Sequence, residues 1–159
     1  MPRLQASPPE IQKYLALLEE TPRLITTCIG GANEDTLRKS PGKRDWSPVE
    51  VLAHLRACDD LWSHSIYAML AEDNPTLPLL DERRWAKSRR YADLSFYTSF
   101  QAFTLSRGEL LYVLRVLPHE AWSRTATIKG RTHSVFSQAR RLALHESEHC
   151  EQLKTLIEH

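Results

Sequence analysis

The sequence predicts an all-α protein, and three observations point to a four-helix bundle. Glycine is scarce, at five of 159 residues, and runs of β-branched residues are nearly absent. Four long segments place apolar residues at the three- and four-residue spacing of helices that bury one face. Helix-start signals stand at the head of two of these segments. We expect one domain over residues 1–159, because four helices in so short a chain pack as a single bundle.

The first helical segment begins at Ser7. Ser7 can cap the helix, Pro8 suits its first position, and Glu10 can complete a capping box. Pro22 lies inside the apolar pattern, and we expect it to kink or split this helix. Gly30 should end it.

The second segment carries the clearest start signal of the chain. Ser47 can cap, Pro48 can take the first position, and Glu50 can reach back to the cap. Trp46 is placed to act as a hydrophobic staple. The helix is predicted to run to about Glu72.

The rest of the chain is predicted to hold two further helices, at about residues 94–117 and 134–157. Residues 73–92 should form a long crossover with one helical turn near residues 81–87, and residues 118–133 a loop. Connections of ~15–20 residues exceed the short turns of a simple up-and-down bundle, so at least one long crossover is expected.

Composition and charge indicate a soluble, cytoplasmic protein. The formal net charge is +1, which gives no electrostatic signature of nucleic-acid or anionic-membrane binding. The start of the chain lacks the apolar stretch of a signal peptide, and no run reaches the ~20 apolar residues of a membrane span. The cysteines, Cys28, Cys58 and Cys150, are odd in number and widely spaced, which favours a reducing compartment over a disulfide framework.

Three histidines are the strongest functional signal. His145 and His149 stand four apart in HESEH, and His54 lies in the second helical segment. At ~100° per residue, His149 and Leu142 fall within about 60° of His145, so both histidines lie inside the apolar stripe. His54 lies at the edge of its own stripe and can reach the bundle interior.

Two interpretations of these histidines stay open on spacing alone. Each can be a half-buried core residue that makes one hydrogen bond. A metal ion would instead satisfy two buried ring nitrogens at once, which favours a site for the pair at four-residue spacing. The distant His54 adds modestly to that case.

HESEH also matches the HExxH pattern of zinc proteases, with Glu146 as general base. We reject this interpretation because the extended form of the motif needs a histidine six residues after His149, where Thr155 stands.

Two phrases resemble a known family. GKRDWSPVEVLAHLRACDDLW resembles the second helix of the DinB-like (DinB/YfiT) metalloenzyme superfamily, and RRLALHESEHCEQL resembles its closing H-x-x-x-H helix. The early TPRLITTCIGG and the DERRW crossover also fit, so the resemblance spans essentially the whole chain.

The resemblance implies a four-helix bundle with up-up-down-down connections and an open divalent metal site. The implied ligands are His54, His145 and His149. Zinc and nickel are the metals it favours, with a low-molecular-weight thiol as a cosubstrate of thiol-dependent S-transferases. It also implies a homodimer, a small-molecule substrate and no DNA binding.

Such a site predicts activation of a nucleophile, either a thiol or a water molecule. Glu146, Glu148 and Gln152 are weak catalytic candidates, with solvated helix faces expected for the two glutamates. Cys58, one turn from His54, is a possible fourth ligand, but we expect it to pack as a small core residue. The alternatives are a metal-dependent hydrolase and a non-catalytic metal-binding or dimerisation protein.

Overall fold

The computed structural model describes residues 3–158, and four long helices dominate it. These helices are α1 (Pro8–Ile29), α3 (Pro48–Ala71), α5 (Phe96–Leu114) and α6 (Val135–Glu158). Two short helices, α2 (Glu34–Leu37) and α4 (Glu82–Ser88), lie in the connections, together with single 3-10 turns at Tyr91–Asp93 and His119–Ser123. Three short strands complete the fold: β1 (Thr76–Leu77), β2 (Thr125–Ile128) and β3 (Arg131–Ser134). The predicted four-helix bundle is confirmed.

Both predicted helix starts are present as capping boxes. The backbone N–H of Ser7 donates to Glu10 Oε2 at 3.0 Å, and that of Ser47 donates to Glu50 Oε2 at 2.7 Å. Each box satisfies donors that the first helical turn leaves without a partner. The local sequence therefore fixes where α1 and α3 begin.

Pro22 does not split α1, which runs unbroken from Pro8 to Ile29. Proline removes the N–H that would bond to the carbonyl four residues earlier, here that of Leu18. The buried guanidinium of Arg107 supplies the missing donor, with Nη1 3.0 Å from the Leu18 oxygen. The expected break is absent because a tertiary hydrogen bond replaces the lost helical one.

The helices form a ring in which α1 packs on α6, α6 on α3, α3 on α5, and α5 on α1. Contacts between named pairs give their directions. Tyr14 meets Arg140 and Thr21 meets Glu146, so α1 and α6 run parallel. Helices α3 and α6 run antiparallel, because the residues that pair across them ascend on one and descend on the other: His54 with His145, and Ser65 with Gln138.

Helices α3 and α5 run parallel, since Arg56 reaches Ser99 and Asp59 reaches Ser106. The order is therefore up, down, down, up, and the expected up-up-down-down order is wrong. Loop lengths did not decide between the two, because connections this long can join either end of a neighbouring helix.

The crossover from α3 to α5 returns the chain to the end of the bundle where α3 began. Helix α4 packs against α3 along the way. Asp60 of α3 holds this segment, accepting hydrogen bonds from Trp85 Nε1 at 2.9 Å and from the Tyr91 hydroxyl. The helical turn predicted near residues 81–87 corresponds to α4.

The stretch expected as a loop after α5 contains a β-hairpin instead. Strands β2 and β3 pair antiparallel, from Thr125 with Ser134 to Ile128 with Arg131, and β1 adds to β2 in parallel. Lys129 and Gly130, with φ of 48° and 72°, form the two-residue turn. Positive φ at both turn positions suits the right-handed twist of a hairpin. The Lys-Gly pair between threonine-rich segments was the signal that the prediction missed.

A buried polar layer divides the apolar core into two clusters. Each long helix contributes one side chain: Thr21 from α1, Asp59 from α3, Arg107 from α5 and Glu146 from α6, all at most 2% exposed. One cluster lies on the side of the hairpin, and the other surrounds the start of α3 and the end of α6. No helix in the described part of the chain is long and apolar enough to cross a bilayer.

Candidate metal centre

The three predicted histidines meet at one end of the bundle. His145 Nε2 lies 3.0 Å from His54 Nε2 and 3.1 Å from His149 Nε2. His54 is on the second turn of α3, and the other two are one turn apart near the middle of α6. Antiparallel packing of α3 and α6 brings these distant sequence positions to one level, so the structure places all three predicted site histidines together.

The orientation of the His149 ring is fixed by Gln152. Gln152 Oε1 lies 2.7 Å from His149 Nδ1 and can only accept, so Nδ1 carries the proton. In the neutral ring this leaves the Nε2 lone pair directed at the cluster. A protonated Nδ1 held by a hydrogen-bond acceptor is the usual arrangement of a metal-binding histidine.

Two indole rings flank the cluster. Trp46, expected as a staple, lies 5.0 Å from the His54 ring and 6.3 Å from the His149 ring between centroids. Trp62, a buried residue of α3, lies 5.1 Å from the His145 ring. These rings exclude water from two sides of the nitrogens, which strengthens electrostatic interactions between them.

The cluster favours neutral imidazoles. The pKa of His145 falls to about 4, first because burial disfavours the charged ring and then because His149, His54 and Arg141 add nearby positive charge. Burial, followed by the charge of His149, also lowers the pKa of His54. At neutral pH these rings therefore present lone pairs, the form in which histidine binds metals.

Cys58 belongs to the same cluster. Its Sγ lies 3.5 Å from His54 Nε2 and 3.6 Å from His145 Nε2, and its side chain is fully buried. His54, Cys58 and His145 together form a set whose ligand atoms all lie within 4.8 Å of one another. Burial, with the nearby Glu82 carboxylate, raises the pKa of the Cys58 thiol. The expectation that Cys58 only packs in the core overlooked this contact.

The predicted catalytic candidates have three different environments. Glu148 is exposed, as expected, and Gln152 holds His149. Glu146 is fully buried and points into the polar layer, so the solvated face expected for it is wrong. At about 100° from His145 its side chain turns toward α1 and α5 and away from the histidine cluster. Such a carboxylate cannot serve as the general base of a zinc protease, which agrees with the rejection of the HExxH interpretation.

Arg107 is the centre of the polar layer, and two carboxylates share it. Its Nη2 pairs with Asp59 Oδ1 at 2.9 Å and with Glu146 Oε1, and its Nη1 lies 2.8 Å from Glu146 Oε2. Thr21 Oγ1 lies 3.0 Å from Glu146 Oε2. Burial would lower the pKa of Arg107, but Glu146 and Asp59 raise it overall, so the guanidinium stays charged. Burial raises the pKa of Glu146, against the opposing effect of Arg107.

The polar layer adjoins the histidine cluster through the chain, because Glu146 follows His145 and Asp59 follows Cys58. Sequence reasoning did not single out Arg107 or Asp59. A signal existed: Arg107 stands between Phe103 and Leu110 on the buried stripe of α5, where helical spacing demands an inward side chain. A charge at such a position requires a buried partner.

Comparison with known proteins identifies the family. The model of the DinB superfamily matches residues 17–153, most of the chain. The chain belongs to the DinB superfamily. The matched region of this DinB-superfamily protein contains all three histidines, Cys58 and the polar layer.

The solved structure of YfiT is similar in fold to this DinB-superfamily chain. YfiT from Bacillus subtilis, described as a probable metal-dependent hydrolase with an unusual four-helix bundle topology, matches with a TM-score of 0.86 at 18% identity. The match covers 98% of this chain and 90% of YfiT. A comparison with curated proteins found no significant match.

Proposed function

We propose that this protein is a metal-dependent enzyme that uses a divalent ion held by His54, His145 and His149. The observation that carries the proposal is that the Nε2 atoms of His54 and His149 lie 3.0 and 3.1 Å from that of His145. Two neutral nitrogens at this distance repel unless one carries a hydrogen, and a single atom of His145 faces two such neighbours. A cation at the centre would relieve that repulsion.

The spacing of the Cys58 sulfur from two of the histidine nitrogens fits a first-row divalent ion. With bonds of about 2.1 Å to nitrogen and 2.3 Å to sulfur, a tetrahedral shell separates two nitrogens by about 3.4 Å and a nitrogen from a sulfur by about 3.6 Å. The Cys58 distances of 3.5 and 3.6 Å match the second value, whereas the two nitrogen pairs, at 3.0 and 3.1 Å, are shorter than the first and would have to separate when an ion binds. We therefore propose Cys58 as an additional protein ligand, because it forms with His54 and His145 a set whose ligand atoms lie within 4.8 Å of one another. Imidazole and thiolate donors suit zinc and nickel.

When bound, a divalent ion would lower the pKa of a coordinated thiol or water and so supply a nucleophile near neutral pH. Three neighbouring residues would support the site in different ways. Gln152 keeps His149 in the tautomer that presents Nε2. Trp46 and Trp62 limit the access of water and define the side from which a small-molecule substrate approaches.

Thiol-dependent S-transfer is the activity that the family resemblance favours. No carboxylate of the described residues hydrogen-bonds to the three rings, so the cluster itself lacks a general base for a water molecule. A thiol would need none, because its proton is lost on coordination.

Hydrolysis is the second candidate, and the description of YfiT favours it. The two reactions are separable with one preparation. Protein loaded with zinc or nickel is offered a thiol panel with electrophilic acceptors, and in parallel a panel of esters and amides without thiol. Turnover that requires thiol supports the transferase, and turnover without thiol supports the hydrolase.

The metal itself is tested by elemental analysis after loading and desalting. We expect about one equivalent in the wild type and a large loss in His145→Ala, with His64→Ala, an exposed histidine of α3, as the matched control. Negligible metal in all three proteins would refute the site. Full occupancy without turnover would support the non-catalytic alternative. The expected homodimer stays a proposal, which light scattering of the metal-loaded protein tests.

A further inference from the structure

A large cleft lies on the α3 and α6 face of the bundle, beside the hairpin. Its volume is about 800 Å³, and the crossover and strand β3 form its rim. That volume is in the range of sites that enclose a small organic molecule. The three histidines do not line this cleft, so it is separate from the candidate metal centre.

Positive charge is concentrated in this cleft. The whole chain has 21 basic and 20 acidic residues, yet the lining contains five cationic side chains and one carboxylate, that of Glu82. Two of the cations have other partners: Arg3 pairs with Glu10, and Arg140 donates to the Tyr14 hydroxyl. Within residues 3–158 the other three form no ion pair: Lys129, Arg131 and Arg141.

These three cations lie around one wall. Arg131 and Arg141 are close enough to His133 that their charges, after burial, lower the pKa of its ring. Lys129 is in the hairpin turn, two residues before Arg131, and also lines the cleft. Arg141 is held in place, since its guanidinium lies 4.0 Å from the centre of the Trp62 ring. Neighbouring like charges without counter-charges destabilise a protein, and a bound anion would remove that cost.

Gln138 supplies a second, independent sign of a ligand. It lines the cleft, is 1% exposed, and its Oε1 accepts no hydrogen bond from the described residues. Its orientation is fixed by Ser65, whose hydroxyl donates to the Trp62 carbonyl at 2.6 Å and must therefore accept from Gln138 Nε2. The amide oxygen thus faces elsewhere, without a donor. A buried unpaired acceptor of this kind usually has a partner outside the chain.

Trp62 connects the cleft to the histidine cluster. The Trp62 ring lies 4.0 Å from the Arg141 guanidinium and 5.1 Å from the His145 ring. Along α6, Arg141 and Gln138 precede His145 by four and seven residues, about 6 and 10 Å. A molecule that fills the cleft can contact the cations at one end and, at the other, the indole of Trp62 that packs on the His145 ring.

We propose that the cleft binds a small anionic substrate with carboxylate or phosphate groups and at least one hydroxyl or amide donor. Its charged end contacts Lys129, Arg131 and Arg141, its donor reaches Gln138, and its other end lies against Trp62, whose ring packs on His145. The claim that this anion is a substrate of the metal-dependent enzyme rests on the proposed function above. Anion binding in the cleft does not rest on it.

The test is a calorimetric titration at low salt of protein freed of metal with a chelator and then dialysed, because citrate and pyrophosphate themselves bind divalent ions. Citrate and pyrophosphate are the probes for carboxylates and phosphates, and glucose is the neutral control. We expect one of the anions to bind and glucose not to bind. In the double variant Arg131→Gln/Arg141→Gln the affinity should fall at least tenfold. Arg23→Gln/Lys154→Gln, which removes the same charge from exposed positions outside the cleft, should bind as the wild type does.

The proposed contact between the ligand's donor and Gln138 is tested by comparing two tricarboxylates. Citrate has a hydroxyl that tricarballylate lacks, so the wild type should prefer citrate, and Gln138→Leu should lose that preference. Equal weakening of anion binding in both double variants, or equal affinity for glucose, would overturn the proposal. The result would then be an adventitious ion only, bound without a specific site.

Metal content separates this proposal from the proposed function. His145→Ala should lose metal and still bind the anion, while Arg131→Gln/Arg141→Gln should keep its metal. Metal binding without anion binding in the wild type would refute the cleft alone. Anion binding by protein that takes up no metal on loading would refute the metal site alone.

Discussion

Arg107 donates a hydrogen bond to the carbonyl of Leu18, the one carbonyl of α1 that Pro22 deprives of its helical donor. The same guanidinium neutralises Asp59 and Glu146 in the centre of the bundle. The buried charge on α5 thus compensates for the proline in α1. The same guanidinium also joins α5 to α3 and α6, so that all four helices contact one polar layer.

We expect Arg107→Gln to lower the free energy of unfolding by about 3–5 kcal/mol, because two buried carboxylates then lack their counter-charge. Urea unfolding at pH 7 measures the loss. Arg23→Gln, on the exposed face of α1, is the control and should change stability by less than about 0.5 kcal/mol. A loss below about 1 kcal/mol for Arg107→Gln would mean that the polar layer is solvated rather than buried.

Gln152→Ala should weaken zinc binding about 10–100-fold, because His149 loses the acceptor that fixes its tautomer. Gln152→Glu should retain the affinity, since a carboxylate can accept the same hydrogen bond. Competition with a chromophoric chelator gives the dissociation constants. Glu148→Gln, on the exposed face of α6, should match the wild type. If Gln152→Ala also binds as the wild type does, Gln152 has no part in the site.

Cobalt-substituted protein should show a near-ultraviolet thiolate-to-metal absorption band that Cys58→Ser removes. The geometric reason is that Cys58 Sγ stands at ligand distance from two histidine nitrogens. Cys28→Ser, a half-buried cysteine on α1 whose thiol contacts the Cys150 carbonyl and no histidine ring, should keep the band. A wild-type spectrum without the band, at full cobalt occupancy, would leave the ion with histidine ligands and exogenous molecules.

The metal-free protein should lose stability as the pH falls from about 6.5 to about 4, the interval between the ordinary pKa of histidine and that of His145 in the fold. Over this interval His145 is protonated in the unfolded chain but remains neutral in the fold, so the free energy of unfolding decreases as the pH falls. The full shift would correspond to ~3 kcal/mol, and partial exposure of the ring reduces our expectation to about 1–2 kcal/mol.

Urea unfolding across this range, in the presence of a chelator, measures the effect. His145→Gln removes one of the titrating groups, so its stability should depend less steeply on pH than that of the wild type. Parallel pH profiles for the two proteins would show that His145 does not have the lowered pKa.

The parts of this fold that local chemistry controls were predictable. The capping boxes at Ser7 and Ser47 fixed two helix starts, and the apolar stripes identified which faces turn inward. The stripe on α6 also placed His145 and His149 toward the interior. The hairpin was missed because its strands are four residues each, too short for a clear alternating pattern.

The parts that depend on partners were not predictable. Helical periodicity put Glu146 at the edge of the stripe, and nothing in the neighbouring sequence indicated that Arg107, 39 residues away, would bury it. Cys58 had the same ambiguity, since a buried thiol and a ligand thiol occupy the same position on a helix.

The sequence by itself determined the helical class, the helix starts and the inward direction of the α6 histidines, because hydrogen-bond capping and burial of one face act over a few residues. The tertiary structure decided the up-down-down-up order, the meeting of His54 and Cys58 with the α6 histidines, and the shared charge of Arg107. These features arise from contacts between residues 39 to 126 positions apart, where the packing of whole helices selects the partners.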